Sequence, residues 1–300
     1  MRPDPKTGVM LVLAAATLWG TTGTARALAG GDLSSTWFGA LRLLAAALFF
    51  GVFAALTHQP TNRRPPLKDA FAAGVCMAVY NLAFFGGIRD VGVAIGTAIA
   101  LGSGPIWAGL LQAAVQRRPP TPVWWGGTLI AVAGGVLLTG GGSHFGRMPA
   151  AGVLLCLLSG LSYAGYTLLN KRMADRAPAS TITLYAFGIA AALAVPFSAL
   201  EGGMPSLSAP DLAAVAYTGV FTAGIAYLLF SRALLHITPA TGVTLALGEP
   251  VVAFMLAVTV LGEEPSVMAF FGLALVVAGV ALVVRNELKA AALMPFGLPQ

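Results

Sequence analysis

The sequence predicts an all-α integral membrane protein, with ten transmembrane helices arranged as two inverted five-helix repeats. Three observations support this fold class. First, charged residues make up only 9% of the 300 residues and hydrophobic residues make up 57%, with a mean hydropathy of +0.84. Second, the chain divides into ten apolar runs of about 20 residues, the length that crosses a bilayer core. Third, its two halves resemble each other at an offset of about 145 residues.

The low charge content excludes several classes of protein. Soluble domains carry about 25% charged residues, so a chain with 9% must be solvated by lipid rather than by water. This excludes a cytosolic enzyme, a secreted disulfide scaffold and a disordered protein. The net charge of +6 comes from short basic clusters between apolar runs, which is typical of membrane topology rather than of nucleic-acid binding. Cys76 and Cys156 lack metal-ligand spacing, so we expect buried packing residues and no metal or other cofactor.

The ten apolar runs are bounded by charged residues and by proline and glycine clusters. The first run follows Arg2 and Lys6, as the core of a signal peptide would. It is longer than the apolar core of about 7–15 residues found in signal peptides, and it has a counterpart in the second half, so we expect it to be retained. We expect the first repeat at 1–145, the second repeat at 146–290 and a cytoplasmic tail at 291–300. The predicted helices are 8–28, 35–56, 69–89, 93–115, 122–140, 149–170, 180–200, 211–235, 239–261 and 266–285.

The distribution of Lys and Arg predicts that both termini are cytoplasmic, in a multi-pass protein of the inner membrane. With the N-terminus inside, thirteen of the 17 basic residues fall in cytoplasmic segments and only Arg26, Arg89 and Arg147 fall on the opposite side. The last basic residue, Arg42, lies within the second run. The thirteen cytoplasmic residues are Arg2, Lys6, Arg63, Arg64, Lys68, Arg117, Arg118, Lys171, Arg172, Arg176, Arg232, Arg285 and Lys289.

Similarity between the two halves occurs in ordered blocks. The segment beginning at Gly8 matches the segment beginning at Gly152, which places Trp19 opposite Tyr163. Each repeat contains five helices, and because five is odd the second repeat must enter the membrane from the opposite side. The loop charges agree with this inversion, since Arg117 and Arg118 correspond to Glu263 and Glu264. The other matches join Ala94, Gly96 and Ala100–Gly102 to Ala240, Gly242 and Ala246–Gly248, and join Gly127 and Gly134 to Gly272 and Gly279.

Inverted repeats indicate a mechanism. In secondary transporters such repeats are related by an in-plane pseudo-two-fold axis, and the substrate site lies near the membrane midplane at the repeat interface. We therefore predict transport by alternating access. A channel or duplicated scaffold is an alternative, but a channel would show rings of matched polar residues along a pore. An intramembrane enzyme would need a nucleophile–base pair or paired carboxylates at one depth, and the sequence offers one acid near the middle of a span.

Several motifs are more specific than composition. They are Leu18-Trp19-Gly20 and Leu41-Arg42-Leu43-Leu44 in the first repeat, and Leu247-Gly248-Glu249-Pro250-Val251, Leu261-Gly262-Glu263 and Phe271–Gly279 in the second. With these motifs the chain resembles the drug/metabolite transporter (DMT) superfamily, specifically its EamA-type bacterial branch. The first repeat departs from the pattern at Leu101-Gly102-Ser103-Gly104-Pro105, which lacks the acid. The resemblance implies a ten-helix exporter or exchanger of small metabolites, similar to YddG-type exporters of aromatic amino acids.

Polar and aromatic residues converge at one depth in the predicted helices. A helix rises about 1.5 Å per residue, so residues ten to twelve positions into a span lie about 15–18 Å deep, near the midplane. Rings there can stack on a substrate or bind an ammonium group, and amides can bind a carboxylate or an amine. Core packing and interhelical hydrogen bonding are the alternatives. The candidate substrate-binding residues are Trp19, Tyr80, Asn81, Ser103, Trp107, Tyr163, Tyr166, Asn170, Tyr227 and Glu249.

Two prolines at corresponding positions of the repeats predict interrupted helices. Pro105 and Pro250 each remove a backbone donor and free a carbonyl four residues earlier. In lipid, freed backbone groups persist only beside protein or a watery cavity, so paired interruptions point to a transporter site. A simple packing kink is the alternative. The candidate helix-break and hinge residues are Gly20, Gly104, Pro105, Gly248 and Pro250.

Two charged residues lie well inside predicted spans rather than near their ends. Glu249 is near the middle of its span, where an acid is a functional candidate for proton coupling or ammonium binding. Structural pairing near Pro250 is the alternative for this residue. Arg42 lies about seven residues into its span, roughly 10 Å deep, and we expect it to snorkel or to pair with a helix C-terminus.

Four residues near span ends are assigned to membrane placement. We expect Trp124 and Trp125 to lie in the interfacial aromatic belt, and Lys171 and Arg172 to fix orientation.

The leading hypothesis is a secondary transporter that exports small organic metabolites. Aromatic amino acids are favoured, because a midplane with almost no fixed charge suits neutral or zwitterionic substrates. Drugs, purines and sugar-type metabolites are alternative substrates. The expected partners are a small-molecule substrate, the lipid bilayer and a coupling proton, without nucleic acid; the oligomeric state is left open.

Overall fold

A computed structural model describes residues 4–57, 64–140 and 149–293. In these ranges the chain forms ten apolar helices; nine have the length and composition to cross a membrane, and α5 is shorter. The all-α membrane fold with ten helices is therefore confirmed. The helices are α1 (Pro5–Ala29), α2 (Ser35–Leu56), α3 (Leu67–Val91), α4 (Val93–Gln116), α5 (Pro122–Gly140), α6 (Ala150–Met173), α7 (Ala179–Gly202), α8 (Ala209–Ala233), α9 (Pro239–Thr259) and α10 (Val267–Leu293).

Most helix ends lie within a few residues of their predicted positions. α1 begins earlier than predicted because Pro5 suits a first helical turn and the Asp4 side chain caps it, accepting from the backbone N–H of Lys6 at 3.2 Å. α10 continues to Leu293, three residues into the segment expected as a tail. Arg2, Arg63, Arg147 and residues 294–300 lie outside the described residues.

The crossing of α5 and α10 shows how the two repeats are related. A Cβ atom added at Gly134 would lie 2.7 Å from the carbonyl oxygen of Gly272, and one added at Gly279 would lie 2.5 Å from that of Gly127. The sequence repeat, however, matches Gly127 with Gly272 and Gly134 with Gly279. Equivalent positions thus exchange partners in antiparallel helices. Such an exchange requires a two-fold axis perpendicular to the helices, which is the geometry of inverted repeats.

A second pair of contacts obeys the same symmetry. α1 packs on α8 where Gly8 approaches Ala233, with a Cβ atom at Gly8 lying 3.3 Å from the Ala233 carbonyl oxygen. α6 packs on α3 where Gly152 approaches Gly87, with the equivalent distance at 3.5 Å. Gly152 is the repeat counterpart of Gly8. The helix pairs α1/α8 and α3/α6 are therefore equivalent units of the two-fold arrangement.

Contacts between helix ends show which ends share a side of the bundle. Asp69, at the start of α3, forms an ion pair of 3.4 Å with Arg172 at the end of α6. Arg89, at the end of α3, forms an ion pair with Glu201 at the end of α7. α3 and α6 therefore run antiparallel, whereas α3 and α7 run in the same direction, as alternating passages through a bilayer require.

Two helices of the second repeat depart from regular α geometry. α8 is π-helical at Thr218–Ile225, and α9 contains a 3₁₀ turn at Ala246–Gly248. In the repeat alignment, position 74 of α3 corresponds to position 219 of α8, an offset of 145. Position 87 of α3 corresponds to position 233 of α8, an offset of 146. The segment of α8 between these positions therefore contains one more residue than the matching segment of α3. The wider π turn accommodates the extra residue. The 3₁₀ turn is tighter and lies where Leu247–Pro250 is one residue shorter than Leu101–Pro105.

Candidate functional site

The candidate site lies between the two equivalent helix pairs, α1/α8 and α3/α6. Within each pair the backbones pack closely, but between the pairs the contacts are made mainly by side chains. Those side chains are predominantly aromatic. We call them the aromatic layer, which consists of Trp19, Tyr80, Tyr163, Tyr166, Tyr227 and Phe230.

Rings of the aromatic layer contact one another across the space between the pairs. The Trp19 and Tyr163 rings meet edge to face, with centroids 6.4 Å apart at 84°. Tyr166 contacts Tyr227 at 5.9 Å, and Tyr163 contacts Phe230 at 6.0 Å. These are tilted and offset arrangements that aromatic rings prefer. The layer joins the two helix pairs without requiring their backbones to touch there.

Tyr80 completes the layer from α3. Its ring lies 5.3 Å from that of Tyr163, and its hydroxyl group is a neighbour of the Tyr227 hydroxyl. The Tyr80 side chain is half-buried, whereas Tyr163 and Tyr227 are buried. Of the six aromatic candidates that the sequence suggested, five therefore belong to one contiguous cluster: Trp19, Tyr80, Tyr163, Tyr166 and Tyr227. The sixth is Trp107.

Several polar atoms in this region are buried without a hydrogen-bond partner. The Trp19 indole N–H and the Tyr163 hydroxyl belong to the layer, the Trp107 indole N–H lies at its edge on α4, and the Asn81 amide oxygen of α3 faces Gly39 of α2. A buried polar group left without a partner costs about 1–3 kcal/mol. Four such groups on predicted site residues therefore favour a ligand-binding role for this region, in which polar groups of a ligand would supply the missing hydrogen-bond partners.

Trp107 and Ser103 occupy the edge of the site on α4. Trp107 is half-buried and makes no ring contact with the aromatic layer within the described chain. The Ser103 hydroxyl donates to the Ala100 carbonyl at 3.2 Å and lies against Gly160 of α6. One residue later, a Cβ atom at Gly104 would lie 3.9 Å from the Tyr163 ring. α4 thus lies beside the layer rather than between its rings.

Asn170 lies behind the layer, with both functional groups of its amide engaged. Its Nδ2 donates to the Tyr166 hydroxyl at 2.9 Å, and its Oδ1 accepts from the Ser231 hydroxyl at 2.8 Å. Asn170 and Tyr166 have no exposed surface. The bond to Ser231 of α8 is the interhelical alternative that the sequence left open for Asn170, whereas the bond to Tyr166 lies within α6.

The two proline-containing helices behave differently. α4 continues as a regular helix through Pro105. α9 is interrupted by the 3₁₀ turn at Ala246–Gly248, and Glu249 and Pro250 begin its second helical part. Close approach by Gly20 of α1 supports this break, since a Cβ atom there would lie 2.8 Å from the Glu249 carbonyl oxygen. The interruption therefore occurs in only one of the two helices where the sequence predicted it.

Comparison with known proteins identifies the family. Residues 6–140 and 150–285 each match the EamA-like transporter family. The chain belongs to this family. It is also similar to an uncharacterized transporter, YwfM, of Bacillus subtilis (strain 168), with 38% identity over 91% of this chain and 92% of the relative. An uncharacterized protein of Pseudomonas aeruginosa, PA1977, is 30% identical over 97% of this chain and 98% of its own length.

A solved structure shows the same fold. A crystal structure of a protein with 21% identity superposes with a TM-score of 0.82 over 96% of this chain and 99% of its own. At that identity the likeness shows the fold alone. The family matches in both halves confirm the duplicated organisation and the EamA-type resemblance, and they establish this EamA-like chain as a membrane transporter rather than an enzyme.

Sequence reasoning missed several features of the EamA-like site. Phe230 contacts both Trp19 and Tyr163, and Phe187 contacts Tyr227 at 4.9 Å. Phenylalanine is so common in membrane helices that depth alone does not single out these two rings. The π segment of α8 was also missed; an offset that rises by one residue between the repeats was its signal.

Two of the expected membrane-placement residues are more deeply packed than predicted. Trp124 is only 2% exposed and packs against Gly109 of α4, so it does not face the lipid interface as a belt residue would. The Lys171 ammonium group donates to the Leu234 carbonyl of α8 at 2.6 Å. Lys171 of α6 therefore forms a hydrogen bond to the end of α8, in addition to any effect on membrane orientation.

A cavity of about 310 Å³ approaches the site from one side of the bundle. It lies under the turn between α6 and α7 and is lined in part by Asp175, Pro178, Ser231 and Leu235. Ser231 also bonds Asn170, which in turn holds Tyr166 of the aromatic layer. The cavity is thus separated from the layer by this hydrogen-bonded chain of side chains.

Proposed function

We propose that this EamA-like protein is a secondary transporter that exports small organic metabolites, most favourably aromatic amino acids, by alternating access across the cytoplasmic membrane. The proposal places the substrate in the aromatic layer. The observation that carries it is the combination of clustered rings and buried, unpartnered polar atoms at the interface between inverted repeats. Inverted-repeat transporters bind their substrates at such an interface.

The chemistry of the layer supports an aromatic or amphipathic substrate. Rings of Trp19, Tyr80 and Tyr163 offer faces and edges for stacking. The indole N–H groups of Trp19 and Trp107 and the Asn81 amide supply donors and an acceptor for polar substrate groups. A largely apolar site with few polar groups is typical of small-molecule recognition.

Alternating access in this arrangement is a movement of α1/α8 relative to α3/α6. The units meet through side chains, so their separation breaks ring contacts without unwinding a helix. The interruption at Ala246–Gly248, just before Pro250, and the glycine contacts at Gly20 and Gly104 are the proposed hinges. The two halves at 1–145 and 146–290 are the proposed repeat units.

The proposed orientation has both termini in the cytoplasm. Basic residues at described helix ends, such as Arg117, Lys171 and Arg172, then lie on the cytoplasmic side, following the positive-inside rule. The cavity beside Asp175 is on the same side and is the proposed entrance for exported substrate.

Glu249 is the proposed site of proton coupling. It lies at the helix interruption of α9, where its backbone packs against Gly20 of α1, the residue next to Trp19 of the aromatic layer. A carboxyl group at that position can exchange a proton when the site opens to either side.

Uptake by reconstituted protein tests the proposal. We would measure entry of labelled Phe, Trp, Leu and Thr into proteoliposomes, with and without a pH gradient, and compare it with protein-free liposomes. Saturable uptake that favours Phe and Trp is the expected result. Absence of uptake for all four would reject amino acids as substrates and lead to drugs, purines and sugars as the next probes.

A further inference from the structure

Two oppositely charged side chains beside the aromatic layer have no charge partner in direct contact. Arg42 lies in α2 and Glu249 begins the second part of α9, and both are half-buried. The Arg42 Nε atom is buried without a hydrogen-bond partner. Within the described residues neither charged group makes a hydrogen bond or an ion pair within 4.0 Å. The expectation that Arg42 pairs with a helix C-terminus is therefore not met.

Both charged residues lie where their helices pack against helices of the aromatic layer. A Cβ atom at Gly20, next to Trp19 in α1, would lie 2.8 Å from the Glu249 carbonyl oxygen, and one at Gly219 in α8 would lie 3.3 Å from the Arg42 carbonyl oxygen.

Tyr80 interacts electrostatically with both Arg42 and Glu249, and these two residues also interact with each other. Glu249 also interacts electrostatically with Tyr163, and Arg42 interacts electrostatically with Tyr227. A positive and a negative group thus border one aromatic cluster without neutralising each other through contact.

The inverted repeat provides an internal control for the role of Arg42. α8 packs on α2 where Gly219 approaches the Arg42 carbonyl, with a Cβ atom lying 3.3 Å from that oxygen. The equivalent contact joins Gly74 of α3 to the carbonyl of Ala186 in α7, at 3.2 Å. The counterpart of Arg42 is therefore a fully buried alanine. The helix contact forms without a cation, so packing does not require the guanidinium group.

The same comparison applies to Glu249. Its repeat counterpart is the segment Leu101–Pro105, which contains no acid and forms part of a continuous helix. Neither charge belongs to what the two repeats share. An unpaired charge in a low-dielectric region is costly. Because helix packing does not require Arg42 or Glu249, their presence favours a ligand that supplies an opposite charge to each.

We propose that Arg42 binds the carboxylate, and Glu249 the ammonium group, of a zwitterionic α-amino acid whose side chain enters the aromatic layer. The inference rests on the proposed transport function and names a specificity-determining residue, Arg42, within it. A guanidinium group presents paired N–H donors that match a carboxylate. The bound ligand then gives both Arg42 and Glu249 an oppositely charged partner, which neither has within the described residues.

Ligands that lack one charge test the assignment. We would measure competition with labelled Phe uptake by phenylalaninamide, which has no carboxylate, and by 3-phenylpropionate, which has no ammonium group. The wild-type protein is expected to bind Phe at least about tenfold more tightly than either analogue, since a hydrogen bond to a charged group contributes that order of affinity. Binding of both analogues as tightly as Phe would overturn the proposal.

Substitutions assign each charge to one end of the ligand. Arg42→Gln is expected to remove the preference for Phe over phenylalaninamide, because the carboxylate then has no partner. The preference for Phe over 3-phenylpropionate should be retained. Glu249→Gln should produce the reverse pattern, measured without an imposed pH gradient because Glu249 is also the proposed proton-coupling group. Arg26→Gln is the matched control, because Arg26 is also half-buried but already bonds Ser35 at 3.0 Å and stacks on Phe38. It should preserve both preferences.

The outcomes separate this inference from the proposed function. If the wild-type protein transports Phe but Arg42→Gln retains the wild-type preference over the amide, the Arg42 assignment fails and amino-acid transport stands. Absence of saturable amino-acid uptake by the wild-type protein rejects both. Melting temperatures of the purified variants distinguish a structural role. Removal of an unpaired buried charge is expected to leave the thermal stability of Arg42→Gln equal to or above that of the wild type, and a marked decrease would instead assign Arg42 to the fold.

Discussion

Trp19 and Tyr163 occupy equivalent positions in the two repeats, and their rings meet edge to face with centroids 6.4 Å apart. Equivalent residues of two-fold-related units can touch each other only near the symmetry axis. Their contact therefore marks the axis at the level of the aromatic layer, as the exchange of glycine partners marks it at the α5/α10 crossing. The proposed substrate site lies where both repeats contribute the same helix position.

Loss of either axial ring is expected to impair transport. Trp19→Ala and Tyr163→Ala each remove a ring and a buried polar group of the proposed site, and we expect initial uptake rates at least about tenfold lower. Phe270→Ala is the control, since Phe270 is 54% exposed and the only aromatic ring that it contacts among the described residues is that of Phe254. Normal uptake by both site variants, with normal membrane expression, would move the site elsewhere.

The glycine crossing of α5 and α10 is expected to be sensitive to side-chain size. A Cβ atom at Gly134 would lie 2.5 Å from the backbone nitrogen of Val276, so Gly134→Val must push the helices apart. Overpacking of this kind costs about 1–3 kcal/mol, occasionally more, which a thermal melt of the purified protein would detect. Gly126→Val is the control, because no atom lies within 4 Å of its added Cβ. Equal melting temperatures for the two variants would contradict the observed crossing.

Cysteine labelling tests the proposed orientation. Met204 is 84% exposed in the turn between α7 and α8, and Asp175 is exposed in the turn between α6 and α7. In a background with Cys76→Ser and Cys156→Ala, an impermeant thiol reagent added to intact cells should modify Met204→Cys but not Asp175→Cys. Lysed cells provide the control, in which both sites should react. The reverse pattern in intact cells would place the termini outside.

The hydrogen bond between Asn170 and Ser231 is expected to stabilise the packing of α6 against α8. Ser231→Ala leaves the buried Asn170 oxygen without its donor at 2.8 Å, which costs about 1–3 kcal/mol. A double-mutant cycle with Asn170→Ala should show coupling, because the second substitution removes the unpaired oxygen. Thr259→Ala serves as control, since the exposed Thr259 hydroxyl bonds only Met255 of its own helix. Purely additive melting shifts would argue against the bond.

The two prolines show where reasoning from sequence succeeds and where it stops. Pro105 and Pro250 carry the same local signal, a missing backbone donor, yet α4 continues through Pro105 and α9 is interrupted just before Pro250. The segment before Pro250 is one residue shorter than its counterpart, and Gly20 of α1 packs against it. Neighbouring helices therefore decide whether a proline-containing helix breaks.

Arg42 shows the same limitation in another form. Its depth in α2 follows from counting residues, and snorkelling was the simplest expectation for a cation about 10 Å into a span. That its Nε atom is buried without a hydrogen-bond partner depends on how α2 is rotated against α8 and α3. The substrate-binding roles of Arg42, Glu249 and the aromatic layer stay predictions until ligands are measured.

The sequence by itself determined the membrane fold, the ten spans, the duplication and its inversion, because apolar length, repeat spacing and an odd helix number are one-dimensional properties. It also identified depths at which polar and aromatic residues occur. Only the tertiary structure decided that Trp19, Tyr80, Tyr163, Tyr166 and Tyr227 form one cluster while Trp107 lies apart from its rings. Depth along a helix follows from residue count, but the direction of a side chain toward its neighbours depends on helix rotation and packing partners, and those are set by contacts between segments far apart in the chain.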